Sequence, residues 1–203
     1  MFYSLRMDGA SSDQNASIPR LTPNRTKILE AILLVIEAGE RINKPATQFD
    51  IAKTIFLADY RHMESYGRPI TYDNFVAMKH GPVPSQTYDM LKQSFPWRSM
   101  GLEKAPWATR EIDANSREYI RPTRSANRSK LSESDISTLI QAFSDVKAMG
   151  FTETSDITHK IDAYMIAWKN RGTAKAKKMD LRLLVPDFDD EMINNLEFVS
   201  KHQ

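Results

Sequence analysis

The sequence predicts a mainly α-helical domain carrying a small β element, and three observations lead there. Apolar residues recur at helical spacing over 28–36, 49–58 and 136–146. Between 67 and 84, Gly67, Pro69, Gly81, Pro82 and Pro84 forbid a continuous helix. The runs 107–113 and 117–123, joined by Ala114-Asn115-Ser116, read as two strands and their turn.

Residues 1–21, rich in Ser, Asn and Asp, offer no core face and are expected to be a flexible lead-in. The main domain is expected over 22–171, with an extension over 172–203. Thr22-Pro23-Asn24 supply cap and first-turn residues for a first helix carrying Ile28, Leu29, Ile32, Leu33, Val35 and Ile36, with Gly39 as its stop. Thr47 opens a second helix, which turns Phe49, Ile51, Ala52, Ile55, Phe56 and Ala58 inward and ends at Gly67. Ile70-Thr71-Tyr72 and Phe75-Val76-Ala77-Met78 favour short extended pieces, and Ser85 is expected to cap a helix containing Tyr88, Met90 and Leu91. Leu131 to Asp135 opens an amphipathic helix with Ile136, Leu139, Ile140, Phe143 and Val146 on one side, closed by Gly150. A shorter helix follows from Thr154 to Trp168, then an amphipathic one near 189–199 whose apolar face is expected to dock on its own domain.

Composition narrows the function classes. The chain has 203 residues, 41% hydrophobic and 27% charged, with a formal charge of +2. That describes a globular protein of one domain and does not announce a nucleic-acid partner. Cysteine is absent, which removes thiol nucleophiles and disulfides. No apolar run reaches membrane-spanning length and no secretion signal opens the chain, so the expected location is the cytoplasm.

Asp59 and His62, three apart on one helical face, suggest with His80 a metal site and thus a small metal-dependent hydrolase. Against it stands the ligand count: four histidines, without H-x-x-x-H or H-E-x-x-H spacing. Asp59 and His62 are expected instead to hydrogen-bond the backbone of the 67–84 loop, leaving the metal set empty. Ser85 lacks the G-x-S-x-G setting of an activated serine, and no glycine-rich phosphate loop is present. Two basic stretches, Arg117, Arg121, Arg124, Arg128 and Lys130, then Lys169, Arg171, Lys175, Lys177, Lys178 and Arg182, keep a DNA-binding regulator as an alternative. Acidic residues elsewhere in the chain nearly cancel them, which argues against it. Each aromatic, Tyr88 and Trp168 included, is expected in the core before it is expected at an interface.

The ordered series Phe56-Leu57-Ala58-Asp59-Tyr60-Arg61-His62, then Gly67-Arg68-Pro69-Ile70, then His80-Gly81-Pro82-Val83-Pro84-Ser85 with Tyr88 downstream resembles the Panacea domain of SocA-like bacterial and phage antitoxins. Thr158-His159 and Trp168 are similar to a later family segment, but Ala167 stands where the family shows proline. The resemblance implies a non-enzymatic antitoxin, without cofactor or catalytic residues, that neutralises a protein toxin from a neighbouring gene by direct binding. It also brings in an adaptor role toward an AAA+ protease, while monomer and homodimer both stay open. The residues it implies for toxin binding or loop organisation are Asp59, His62, Arg68, Pro69, Tyr72, His80, Gly81, Pro82, Pro84, Ser85 and Tyr88.

Overall fold

In the computed structural model, which describes residues 17–112 and 118–203, the chain first turns helical at Asn24. Its side chain accepts from the Lys27 amide and caps α1 (Arg25–Arg41). Every residue from Ile28 to Ile36 is buried, so α1 is surrounded on all sides rather than apolar along one stripe. Gly39 does not stop this helix, which runs on to Arg41. A Cβ at Gly39 would lie 2.8 Å from the Lys44 carbonyl oxygen. The glycine is there to let the returning chain pass close.

Strand β1 (Ala46–Thr47) leads into α2 (Gln48–Tyr66), opened by a capping box between Thr47 and Asp50 and closed by the left-handed Gly67. Strands β2 (Phe75–Met78) and β3 (Gly81–Pro84) form a tight hairpin, and α3 (Ser85–Met90) follows directly. Ile70-Thr71-Tyr72, expected to be extended, is a loop. Its amides bond to a side chain rather than to a neighbouring strand, and Tyr72 sits at φ 55°. Strands β4 (Trp107–Ile112) and β5 (Glu118–Pro122) pair antiparallel with a register shift between Arg110 and Ile112. The Ala114-Asn115-Ser116 turn and Arg117 lie outside the described residues.

Helix α4 (Glu133–His159) opens with a capping box between Ser132 and Asp135. Gly150 closes its first stretch, as expected, standing non-helical at φ 67°, ψ −168°, and a second helical stretch continues in a new direction to His159. The helix expected over 154–168 is divided, because Ile161 is extended and α5 (Asp162–Lys169) starts afresh. The break lets Tyr164 donate its hydroxyl to the Met78 carbonyl oxygen at 3.0 Å, bracing the hairpin from below.

The last residues complete the core. Strand β6 (Lys177–Lys178) joins β2, and α6 (Leu181–Leu184) and α7 (Asp190–Lys201) follow. Leu181, Leu184, Ile193 and Leu196 are buried with the residues of α1 and α2. The Thr22 amide donates to Ser200 Oγ at 2.9 Å, and the Leu21 amide to Asn74 Oδ1 at 3.0 Å. The start of the described chain is therefore tied both to α7 and to the loop before β2. Among the described residues the fold holds seven α-helices and two antiparallel sheets, ordered β1-β5-β4 and β3-β2-β6. It is mainly α with small sheet elements.

Phe56 sits where α2 meets the hairpin, fully buried and edge-on to Phe75 at 5.2 Å. Replacing it with Ala removes a core ring that the surrounding elements cannot close over. Phe56→Ala is expected to lower the unfolding free energy by about 3–5 kcal/mol, read by urea denaturation.

Candidate functional site: an internally anchored loop

The segment from Gly67 to Tyr88 is held from inside by buried polar groups. Asp59, fully buried on α2, accepts the Ile70 amide at 2.8 Å and the Thr71 amide at 2.9 Å, and the Thr71 hydroxyl donates to its second oxygen. Thr71 Oγ in turn accepts the Asp73 amide at 3.2 Å. Asp73 then accepts the amides of Asn74, Gln86 and Thr87 and the Thr87 hydroxyl, at 2.7–2.9 Å. Asp73 therefore satisfies the first amides of α3. Ser85, expected to do so, is the first helical residue and makes no capping bond. Asp73 was missed in the sequence because it lies twelve or more residues from the helix it caps, outside the local spacing that capping rules use.

Burial pushes the Asp59 carboxyl up to about 7, the charge of Asp73 adding to the effect while its hydrogen bonds to Thr71 and Ile70 oppose it. Burial likewise lifts Asp73 to about 6 against four hydrogen bonds that favour its ionised form. Both groups sit at the turning points of the loop, so its anchoring depends on pH.

A second knot lies at the loop's start. Asp135 is fully buried and accepts from Lys27 Nζ at 2.8 Å, Arg68 at 3.0 Å and the Ser132 amide at 3.0 Å. Burial raises the Asp135 carboxyl, but the Lys27 and Ser132 hydrogen bonds and the charges of Lys27 and Arg68 outweigh it and hold the group below the usual carboxylate range. His62 lies beside them with its Nδ1 2.7 Å from the Arg68 carbonyl oxygen, which can only accept, so the proton sits on Nδ1. Burial lowers the affinity of His62 for a second proton, and the charges of Arg68 and Lys27 do the same, against the Arg68 carbonyl and Asp135. At neutral pH His62 is therefore an uncharged clamp on the loop, and its 3.3 Å approach to Asp135 is not an ion pair.

The third anchor is Lys53, which sequence reading passed over because a lysine inside an amphipathic helix reads as solvated. It is 1% exposed, donates to the Pro82 carbonyl oxygen at 3.1 Å and lies 3.4 Å from Thr158 Oγ. Burial pulls its ammonium down to about 7. Gly81 makes room for it: at φ 99°, a Cβ there would fall 2.3 Å from Lys53 Nζ and 2.7 Å from Thr158 Oγ.

The residues singled out in the sequence thus divide by depth. Asp59, His62, Pro69, Tyr72, Gly81, Pro82 and Pro84 are buried and shape the loop, Arg68, Ser85 and Tyr88 are half-buried, and His80 is exposed at the hairpin tip against Phe151, ring centres 5.2 Å apart. Asp59 and His62 are committed to the partners above, and His80 does not join them. Among the described residues no group of three His, Asp or Glu side chains is placed to hold a metal ion. In the first basic stretch two residues are engaged by α1: Arg124 grips Glu30 through two bonds of 2.7 and 2.9 Å, and Arg121 pairs with Glu40. In the second stretch Arg182 pairs with Asp180, and Arg171 lies over the Trp168 ring.

The class that this fold and site define is a small α-rich domain presenting a rigid, internally satisfied loop. The family model described as antitoxin SocA-like, Panacea domain, matches residues 51–164, more than half of the chain, and the protein belongs to that family. No curated protein and no solved structure shows a significant similarity to it. Among the described residues no helix is long and apolar enough to cross a membrane.

The raised carboxyl of Asp59 carries a pH signature. Between pH 4 and 7 the unfolded chain has released this proton while the folded chain keeps it, so stability falls as pH rises through that window. Asn at this position keeps a carbonyl acceptor for the Ile70 and Thr71 amides and cannot ionise. Asp59→Asn is therefore expected to gain on the wild type by up to about 1.4 kcal/mol per pH unit from pH 4 to 7 and to run parallel above it, as read by denaturation across pH. Gly81→Ala combines a left-handed backbone with displacement of Lys53. Its denaturation midpoint is expected to fall by the equivalent of about 2 kcal/mol or more.

Proposed function

We propose that this protein is an antitoxin that neutralises a toxin encoded by a neighbouring gene through direct, non-catalytic binding, and that the outer surface of residues 68–88 forms the toxin-binding face. Family membership supports the antitoxin role. One observation supports the choice of face: the segment is anchored from beneath at Asp59, Asp73, Asp135 and Lys53 while Lys79 and His80 stand exposed and Arg68 and Tyr88 half-exposed above. A segment already fixed loses little conformational entropy when a partner docks, so more of the contact energy appears as affinity. Apolar anchors and positioned charges on such a face supply most of that energy.

In this reading Asp59, His62, Pro69, Tyr72, Gly81, Pro82 and Pro84 organise the face, whereas Arg68, His80, Ser85 and Tyr88 meet the toxin. The neutralising unit is residues 22–171, buttressed by 172–203. It works in the cytoplasm, where the bound toxin can also be passed to an AAA+ protease.

Co-expression with the adjacent gene's product is the test. Rescue of host growth and co-purification of a stable complex are expected, and a double variant His80→Ala with Tyr88→Ala, folded by its melting curve, is expected to lose rescue. A harmless neighbour that does not bind would overturn the antitoxin reading. Full rescue by the double variant would move the face elsewhere.

A further inference from the structure

A cleft of about 330 Å³ opens between α2, the β2–β3 hairpin, α3 and the residue after the α4 kink. Its walls are apolar: Phe49 and Ala52 from α2, Val83 from the hairpin, Tyr88 from α3, and Phe151, which is half-exposed and tilted against Phe49 with ring centres 4.6 Å apart. The charged and titratable side chains lining it are Lys53, Lys79 and His80, and no Asp or Glu lines it. Lys53 lies deepest, 5.7 Å from the Phe49 ring centre, bonded to the Pro82 carbonyl oxygen and near the Thr158 hydroxyl. Among the described residues no carboxylate pairs with it. A buried ammonium on two neutral oxygens, under an apolar cleft with a basic rim, lacks the counter-charge that buried cations ordinarily have.

We propose that this cleft seats the toxin's principal anchor, an apolar side chain immediately flanked by an acidic residue. The side chain packs against the outer faces of the touching Phe49 and Phe151 rings, and the carboxylate turns toward Lys53, with Lys79 and His80 at the rim. Charge complementarity selects this occupant: an apolar segment without an acid leaves Lys53 without a counter-charge, and one with a base meets Lys53 and Lys79 with no carboxylate in the lining to offset them. The inference rests on the antitoxin reading and names the chemistry of its partner.

Binding then has a protonic consequence. Lys53 is held near 7 by burial, and a carboxylate brought beside it favours the charged form, so at pH 7.5 to 8 complex formation takes up a proton. His159, from α4, is the titratable group coupled to Lys53, and it feels His80 from the hairpin and Asp156 from its own helix. Lys79 is the remaining charged group lining the cleft.

The experiment is calorimetry of the 203-residue chain against the co-purifying product of the adjacent gene at about pH 7.5, in two buffers of different ionisation enthalpy. Wild type is expected to bind with net proton uptake. Phe151→Ala and Lys79→Glu, both at exposed positions, are each expected to weaken binding about tenfold or more. Lys53→Met, close in length and uncharged, is expected to weaken it similarly and to abolish the uptake. If Lys53→Met does not fold, the other two variants and the wild-type proton count still decide. Should wild type bind without uptake, or should Phe151→Ala and Lys79→Glu bind within about twofold of wild type, the cleft is not the seat although the antitoxin reading stands. Should wild type not bind at all, both readings fall.

Discussion

The Asp59 carboxyl group is the point from which the loop is hung, because it takes two consecutive backbone amides and a hydroxyl. A buried amide without a partner costs as much as a lost hydrogen bond, and residues 70–74 have neither helix nor strand to supply one. Asp59 repairs this from the centre of α2, and Thr71 relays it to Asp73, which closes the first turn of α3. One chain of hydrogen bonds therefore sets the position of α3 relative to α2. The cost is two carboxyl groups in a site that disfavours their ionised forms, which makes the loop's stability sensitive to pH over a range that surface carboxylates would not reach.

The Asp135 knot is a different solution to a similar problem. Here a buried carboxylate is kept ionised by cations, and they come from separate elements: Lys27 from α1 and Arg68 from the loop. The same residue forms the capping box of α4. A single side chain thus registers α1, the loop and α4 against one another, and removing it would take the counter-charge from Lys27 and Arg68. With Lys53 under the hairpin and Tyr164 bonded to Met78, the loop is held along its whole length. Rigidity of this kind is what a surface needs if it is to bind without first paying an ordering entropy.

Much of the fold was legible from local pattern. The periodicity of α1, α2 and the first part of α4, the Thr47 and Ser132 caps and the left-handed Gly67 all follow from residues within a few positions of each other. Where reading failed, the cause lay in contacts between distant residues. Gly39 looked like a helix stop, but its missing Cβ serves the approach of Lys44 and Ala46. Ser85 looked like a cap, but Asp73 had already satisfied the amides that it would have served. The 160–161 break was missed because the end of α4 and the start of α5 are bent to meet the hairpin, a demand that helix propensity does not express.

The candidate site shows the same division. The density of glycine and proline between 67 and 85 and the ordered family segments located the loop, because fixed backbone angles are written in residue type alone. Which of its residues face inward was not readable there: Tyr72 and Pro69 are buried, His80 is not, and Lys53, the deepest charge beneath the hairpin, sits in a helix where a lysine ordinarily reaches solvent. Sequence by itself determined the helical class, the rigid loop and the family, all carried by short-range stereochemistry. Only the tertiary structure decided how charges are paired, since burial sets the energy of a charge and burial is a property of packed elements, not of neighbours in the chain.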